Sequence, residues 1–313
     1  MSRFDGFFSA AAAGLLVFLG AGCQPGTRSP VAVPLSPVSC GAGIAGEEQL
    51  TAPLVVLGEV HGTREIPAAF GHLVCRAAAD RHGATILVGL EIPSSAQPTI
   101  DKFLAGNGDA AASEAFLAQE FWQRAYQDGR SSEAMFRLLD EIRNLRKAGL
   151  KIVVLALDPG LYDAPKARDA GMAAALADAI AARHPTQTLV LVGNVHSRTL
   201  NGYPWDAKAD YVPFGALLKA RYGDMIALDS ATQGGSAWIC MSAEAKDCGP
   251  HPMRARGTAD DQVPRITLDP EAVAKTGHSG ALHLGPVSES TPKAAAHAPA
   301  TGTSPTSGSN PHI

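Results

Sequence analysis

An apolar run gives way to charged side chains in the segment Leu54-Val55-Val56-Leu57-Gly58-Glu59-Val60-His61-Gly62-Thr63-Arg64-Glu65. Continuous apolar runs of this length are typical of strands that are buried on both faces, as in a parallel sheet covered by helices. Ligands of such sheets bind just beyond the carboxyl ends of the strands. We therefore predict an α/β fold in which the residues after Gly58 belong to a functional site.

Three more segments repeat this arrangement of an apolar strand followed by a polar side chain. They are residues 86–90 followed by Glu91, residues 152–157 followed by Asp158, and residues 189–193 followed by Asn194 and His196. Strands joined by right-handed crossovers in one sheet have their carboxyl ends at the same edge. We therefore expect these side chains to share one crevice. The alternative is that polar residues follow the strands only because strands end at the surface.

The segments between the strands predict how the sheet is covered. A helix is expected over 63–81, with Thr63 as a possible N-cap and Gly83 after its end. Helical patterns at 94–104, 110–126 and 131–147 form an insertion over 94–147, longer than a crossover requires, which we predict to cap the strand ends. Its large apolar residues at helical spacing are predicted to form the core of this cap: Phe121, Trp122, Tyr126, Met135 and Phe136.

The rest of the domain is predicted to continue the sheet. Helices are expected over 168–183 and 212–221, and later strands over 224–229, 237–241 and 281–287. The predicted fold is therefore α/β, with a mainly parallel sheet covered by helices, a helical cap inserted after the second strand and a C-terminal antiparallel extension.

The two ends of the chain are predicted to lie outside this domain. Residues 1–22 have the short positive start and the apolar stretch of a signal peptide, and they end before Cys23 in a pattern that resembles a bacterial lipoprotein signal. Residues 23–40 would form the lipidated N-terminus and a linker, 41–290 the α/β domain, and 291–313 a disordered tail rich in Ala, Pro, Ser and Thr.

This leader predicts a location in the bacterial cell envelope. Lipidation of Cys23 would anchor the protein to a membrane, and because Gln24 is not Asp the pattern favours the outer membrane, facing the periplasm or the cell surface. Secretion after cleavage near Ala21 is the alternative.

Cysteine count and charge agree with export. Apart from Cys23, four cysteines remain, an even number suited to disulfides in an oxidising compartment. Cys240 and Cys248 flank a polar segment and suit a hairpin disulfide, which by elimination leaves Cys40 to pair with Cys75, although four cysteines allow three pairings. The net charge of -4, without a Lys/Arg cluster, argues against nucleic acid as a partner.

The candidate catalytic set consists of Glu59, His61, Glu91 and His196. Glu59 and His61 are two residues apart at a strand end, so an extended backbone points both to the same side. Two carboxylates and two imidazoles suit a divalent metal, with Asp158 as a further ligand or as a hydrogen-bond partner of the ligands. The same set suits metal-free acid–base catalysis equally well.

Four further residues are predicted to bind the substrate, namely Arg64, Glu65, Arg130 and Asn194. Arg130 lies at the start of a predicted helix, where anions such as a carboxylate or phosphate bind. The alternative is that Asp128 or Ser131 caps this helix while Arg130 is solvated.

The strand-end motifs resemble those of a known superfamily. The segment 58–65, Gly89-Leu90-Glu91 and Gly193-Asn194-Val195-His196 are similar to motifs of the erythromycin-esterase-like proteins, the ChaN-like haem-binding uptake lipoproteins and the TIKI/TraB proteins. The resemblance spans 54–287. It implies a parallel α/β core with a helical insertion and a polar site at the strand ends.

Two branches of this superfamily imply different functions. The esterase pattern makes His61 the base and the other three residues of the set its supporting or metal-binding partners, although the esterases have one more residue between Glu and His. The Glu-x-His spacing found here is closer to the ChaN-like branch, which implies haem as the cofactor. Tyr203 and Tyr211 are then the loop candidates for an axial ligand.

The sequence as a whole favours a hydrolase that acts on an ester, amide or peptide bond of a small molecule or peptide. The first rival is a haem-binding uptake lipoprotein without catalysis. The second is an interaction scaffold that has lost its activity, which the presence of all four strand-end motifs weakens.

Overall fold

The apolar runs form a mixed sheet in the computed structural model, which describes residues 38–81, 83–256 and 263–294. Within these residues the sheet has eight strands: β1 (Leu54–Glu59), β2 (Ile86–Pro93), β3 (Ile152–Asp158), β4 (Gln187–Gly193), β5 (Ile226–Cys240), β6 (Cys248–Ala255), β7 (Arg265–Leu268) and β8 (Gly280–Leu284). The α-helices among the same residues are α1 (Glu65–Asp80), α2 (Gln97–Ala105), α3 (Ala110–Leu117), α4 (Glu120–Gln123), α5 (Glu133–Lys147), α6 (Pro165–Arg183), α7 (Phe214–Tyr222) and α8 (Val273–Thr276).

The strand order puts the ends of the predicted site strands next to one another. The order is β3-β2-β4-β1-β5-β8-β7, with β6 paired to β5, and the first six of these strands are parallel. β7 is antiparallel to β8, and β6 is antiparallel to β5. The predicted α/β class, with a mainly parallel sheet and a C-terminal antiparallel extension, is confirmed.

β5 is a single strand where the sequence predicted two. The break in the pattern falls at Gly234 and Gly235, whose φ angles are 85° and 106°. Such backbone favours glycine, and a Cβ on Gly235 would lie 1.9 Å from the Val287 carbonyl oxygen. The two glycines therefore redirect the strand without ending it, so that its second half pairs with β6.

Alternating side chains of the strands fill two apolar cores, one on each face of the sheet. Val55 and Leu57 of β1 belong to the core that includes α1 and α5, and Leu54 and Val56 belong to the core that includes α6 and α7. Both faces are covered by helices, which explains why the strands are continuous apolar runs.

The helical insertion is part of the first core as well as a cover for the strand ends. α5 packs against α1, and an aromatic cluster within the insertion consists of Phe103, Phe116, Trp122 and Phe136. Phe121, Trp122 and Met135 are buried as predicted, whereas Tyr126 is 37% exposed. The predicted helix over 110–126 is two helices, because Gln119 between α3 and α4 has an extended backbone.

The start of α1 differs from the prediction. The helix begins at Glu65 after Arg64, and no side chain caps it. Thr63, the predicted N-cap, donates its hydroxyl to the Val60 carbonyl instead. The segment between β1 and α1 is thus a tight turn around Gly62, whose φ is 72°.

The disulfide pairing is confirmed as Cys40–Cys75 and Cys240–Cys248. Residues 291–294, placed in the tail by their composition, are bonded to α5, since Thr291 accepts a hydrogen bond from the Glu133 amide. The predicted signal peptide, Cys23, most of the linker and the tail beyond 294 lie outside the described residues. No helix in the described ranges has the length and apolar character needed to cross a bilayer.

Candidate active site at the carboxyl edge of the sheet

His61 lies between two carboxylates, those of Glu59 at the end of β1 and Glu91 in β2. Its Nδ1 is 2.9 Å from Glu59 Oε1, and its Nε2 is 3.5 Å from Glu91 Oε2. Glu59 and Glu91 are only 2% and 4% exposed, whereas the His61 side chain is 20% exposed. The imidazole therefore reaches solvent while both carboxylates stay behind it.

Glu91 is the centre of the cluster. Its Oε2 accepts a hydrogen bond of 2.7 Å from the Gly193 amide at the end of β4, and its Oε1 accepts one of 2.6 Å from Arg168. A Cβ on Gly193 would lie 3.2 Å from His61 Nε2 and 3.4 Å from Glu91 Oε2. Glycine at this position lets the two strand ends approach each other closely.

His196 forms a second pair of an imidazole and a carboxylate. Its Nδ1 is 2.9 Å from Asp169 Oδ1, and its Nε2 is 3.0 Å from Arg168 Nη1 and 3.8 Å from Glu91 Oε1. Because a guanidinium only donates and a carboxylate only accepts, this pattern places the His196 proton on Nδ1 and leaves a lone pair on Nε2. The Tyr211 hydroxyl lies 3.2 Å from the same Nδ1.

Two arginines neutralise the buried carboxylates behind the histidines. Arg168 binds both oxygens of Asp158, at 2.9 Å and 2.7 Å, and Arg130 Nη1 donates to Asp158 Oδ2 at 2.8 Å. Asp158 has no exposed side-chain surface. Arg130 is also held by Asp128, and the Tyr162 ring covers both guanidiniums. Each buried charge is thus paired, as a stable interior requires.

These contacts set the protonation of the cluster. Burial lowers the pKa of His61, but attraction by Glu91 and Glu59 and hydrogen bonds to both outweigh it and raise the pKa from 6.5 to about 10. Burial raises the pKa of Glu91, but the charges of Arg168 and His61 and a hydrogen bond from His61 hold it well below its ordinary value. Burial and Asp169 raise the pKa of Tyr211. The site therefore holds an imidazolium at His61 and a phenol at Tyr211 near neutral pH.

The structure brings together most of the residues that the sequence singled out. Glu59, His61, Glu91, Asp158 and His196 form one cluster, and Arg130 joins it through Asp158. The alternative in which Arg130 is solvated is wrong, since its side chain is only 8% exposed.

The other three predicted substrate-binding residues make contacts within the protein: Arg64, Glu65 and Asn194. Arg64 and Glu65 bond to the backbone of residues 288 and 289 near the C-terminus of the described chain. The backbone N–H of Asn194 donates to the backbone carbonyl of Glu59, and this bond joins the ends of β1 and β4. Substrate binding by these three residues stays a prediction.

Sequence reasoning missed Arg168, Asp169 and Tyr162, and it considered Tyr211 only for haem. The sequence did contain a pattern that could have indicated Arg168 and Asp169 as site residues. They form a charged pair at the start of an Ala-rich helix that follows β3, and the start of such a helix lies at the carboxyl edge of the sheet. For Tyr162 the sequence carries no such pattern.

A divalent metal at Glu59, His61, Glu91, Asp158 and His196 does not fit this arrangement. A metal ion would need lone pairs of Glu91, Asp158 and His196 as ligands. The Arg168 guanidinium already donates hydrogen bonds to all three side chains. Within the described ranges no group of three or more His, Cys, Asp or Glu side chains has the placement of a metal site. The positive charge that balances these carboxylates comes from the protein itself.

The two tyrosines considered as axial ligands for haem lie in one aromatic stack. Tyr211 is 3% exposed and stacks on Tyr203, with ring centroids 4.2 Å apart. Tyr203 stacks on Trp205 on its other side. Haem binding therefore stays a prediction.

Comparisons with known proteins identify the fold. An erythromycin esterase variant in its open conformation aligns with a TM-score of 0.57 at 13% identity, over 78% of this chain and 92% of that chain. The chain has the fold of erythromycin esterase. A succinoglycan biosynthesis protein aligns with the same TM-score and identity, over 78% of this chain and 90% of that chain. This result is consistent with the superfamily that the strand-end motifs resemble.

Other comparisons add less. ChaN of Campylobacter jejuni, in a structure of cofacial haem binding, aligns with a TM-score of only 0.33 at 11% identity, over 67% of this chain and 90% of that chain. No protein-family model matches the sequence, and no curated protein matches it.

Proposed function

We propose that the protein is a metal-independent hydrolase of an ester, amide or peptide bond. The observation that carries this proposal is the pair of imidazoles on either side of Glu91. His61 is held by Glu59 and His196 by Asp169, and both histidines reach solvent, with side chains 20% and 16% exposed. Histidines oriented by carboxylates at a sheet edge are suited to proton transfer.

The two imidazoles are proposed to act as an acid and a base. Arg168 Nη1, which donates to His196 Nε2 in the free protein, turns to the acyl oxygen of the bound substrate and frees the Nε2 lone pair. His196 Nε2 then accepts a proton from the attacking water, whose oxygen forms the new bond to the acyl carbon. His61, charged at neutral pH, donates a proton to the leaving oxygen or nitrogen as the acyl bond breaks. The resemblance implied the base role for His61, and its raised pKa is the reason that we assign it the donor role instead.

The arginines are proposed to stabilise the charge that develops on the acyl oxygen. Arg168 Nη1 lies 3.0 Å from His196 Nε2, close to the place where the water would be activated. A preorganised guanidinium in a buried site lowers the energy of an oxyanion. The esterase name of one structural neighbour supports an ester as the bond that is cleaved.

The protein is further proposed to act in the cell envelope as a lipoprotein anchored through Cys23. Its two disulfides are typical of proteins that fold in an oxidising compartment. The wild type should partition into the detergent phase, and Cys23→Ser should move it to the aqueous phase. Unchanged partitioning would refute the anchor.

The catalytic proposal is tested by substituting Asn for His61 and, as a control, for His184. His184 is exposed at the opposite edge of the sheet, after α6, and its φ of 46° suits Asn. Hydrolysis of a panel of aryl esters and short peptides should fall by about 100-fold or more in His61→Asn and remain unchanged in His184→Asn. Activity of the wild type should survive strong chelation.

Two outcomes would contradict the proposal. Stoichiometric haem binding, seen as a Soret band, by a protein that hydrolyses no member of the panel would replace it with the haem alternative. Loss of activity with EDTA that a divalent metal restores would show that the hydrolase depends on a metal.

A further inference from the structure

A short segment at the start of α7, residues 211–215, contacts both members of the second imidazole–carboxylate pair. The Gly215 amide donates to the His196 carbonyl at 2.8 Å, and the Phe214 amide donates to Asp169 Oδ1 at 2.6 Å. The Tyr211 hydroxyl lies 3.2 Å from His196 Nδ1. Two backbone bonds thus fix where the pair lies, and one hydroxyl adds a polar side-chain contact to it.

The Tyr211 hydroxyl carries a proton that needs an acceptor inside the protein. Tyr211 is only 3% exposed, and burial and the charge of Asp169 raise the pKa of its hydroxyl, which stays protonated. His196 Nδ1 is not the acceptor, because the Arg168 contact at Nε2 leaves the imidazole proton on Nδ1. The acceptor beside it is the Asp169 carboxylate, and a hydrogen bond to this group contributes to the raised pKa of Tyr211.

Asp169 therefore accepts hydrogen bonds from three kinds of donor. They are the Nδ1–H group of His196, the amide of Phe214 and the hydroxyl of Tyr211. The Asp169 side chain has no exposed surface, so these donors, and not bulk water, stabilise its charge. A carboxylate that is stabilised by more donors attracts a proton on a neighbouring imidazole less strongly.

The charges that face His196 come from α6 and β2. Asp169 lies at Nδ1, and Arg168 and Glu91 lie 3.0 Å and 3.8 Å from Nε2. The two carboxylates favour an imidazolium, whereas the guanidinium opposes it. This balance decides whether Nε2 keeps the lone pair that a base needs, and a hydroxyl bonded to Asp169 shifts it towards the neutral imidazole.

We propose that Tyr211 is a positioning residue that keeps His196 in its neutral, basic form by donating a hydrogen bond to Asp169. This inference rests on the proposed function, in which His196 Nε2 accepts a proton from the attacking water. Tyr211 acts through Asp169 and does not touch the reacting atoms. Without its hydroxyl, Asp169 would hold a proton on His196 more tightly, and the base would be blocked over a wider pH range.

The test follows the protonation of His196 directly. Tyr211→Phe removes only the hydroxyl and keeps the ring, and Tyr222→Phe makes the same change at the far end of α7 as a control. NMR of protein with isotope-labelled histidines reports each imidazole, and the His196 signal is the one absent from His196→Asn. Its titration midpoint should rise by about one pH unit in Tyr211→Phe, because a hydrogen bond to a charged group supplies roughly a tenfold difference. The midpoint in Tyr222→Phe should equal that of the wild type.

The pH profile of kcat/KM on the best ester of the panel gives a second readout. In Tyr211→Phe the acidic limb should move to higher pH by the same amount as the NMR midpoint. At higher pH, where His196 is neutral in both proteins, the variant should reach nearly the wild-type value. A merely structural role of the hydroxyl would instead lower kcat/KM equally at every pH.

The two readouts separate this inference from the proposed function. A higher midpoint together with a shifted acidic limb supports both. A midpoint that is unchanged or lower in Tyr211→Phe, or that rises equally in Tyr222→Phe, would overturn the inference. A higher midpoint in Tyr211→Phe alone, with an acidic limb that stays in place or with no hydrolysis of any panel member, would uphold the effect of Tyr211 on His196 and overturn the base role of His196.

Discussion

At the scale of single residues, Arg168 holds the site together. It bonds to Glu91, both oxygens of Asp158 and His196, and its side chain is only 10% exposed. Removing one partner of a buried ion pair leaves a charge without compensation, which costs far more than loss of an exposed pair. We therefore expect the stability of this edge of the sheet to depend strongly on the Arg168 guanidinium.

We expect Arg168→Met to lower the free energy of unfolding by about 3–5 kcal/mol. Arg137→Met is the matched control, since Arg137 is 75% exposed in its pair with Glu133 and its loss should cost less than about 1 kcal/mol. Urea denaturation measures both. Similar values for the two variants would show that Asp158 and Glu91 do not need Arg168.

His61 should make stability depend on pH in the alkaline range. Its pKa is raised from 6.5 to about 10 in the folded state, so the folded protein holds this proton more tightly than the unfolded chain. The stabilisation is fully present below pH 6.5 and is lost as the pH rises through 10. The difference in unfolding free energy between wild type and His61→Asn should therefore shrink between these pH values. A difference that stays constant with pH would contradict the assigned imidazolium.

At the scale of elements, a C-terminal strap fixes the loop that carries His61. The strap consists of residues 288–294. The Ser290 amide donates to the Gly62 carbonyl, and its hydroxyl accepts a hydrogen bond of 2.9 Å from Ala134 in the first turn of α5. The Trp238 amide of β5 donates to the same Gly62 carbonyl. Segments distant in sequence thus position the residue next to His61.

Ser290→Ala is expected to lower the free energy of unfolding by about 1 kcal/mol, as loss of a helix cap does. Ser288→Ala, in the exposed part of the same strap, should change it by less than about 0.5 kcal/mol. Thermal or urea unfolding compares the two. Equal effects would show that the Ser290 hydroxyl does not cap α5.

Local patterns explain which elements could be predicted. The four strands that end in the site are continuous apolar runs, and their carboxyl ends share an edge whatever their order in the sheet. The points at which a strand or helix is interrupted were harder to predict. Gly234 and Gly235 redirect β5 without ending it, whereas Gln119 divides a continuous helical pattern into two helices. β6 and β7 were missed, since pairing to a distant strand is not visible in a short window.

At the scale of the whole molecule, the sequence predicted which strand-end side chains come together but not how their charges are balanced. Glu59, His61, Glu91 and His196 were predicted from strand ends alone. That Arg168 and Arg130 lie among the carboxylates depends on how α6 and the insertion pack on the sheet, which no local pattern specifies. The divalent metal that the sequence left open does not fit for this reason.

The central claim is that His61 and His196 act as one acid–base unit around Glu91. A double-mutant cycle on kcat/KM with His61→Asn, His196→Asn and the double variant tests it most directly, using the best ester of the panel. Each single variant should lose about 100-fold, and the double variant should be little worse than either, because residues that act as a unit are strongly non-additive. Losses that multiply to about 10,000-fold, or a single variant with wild-type activity, would contradict the claim.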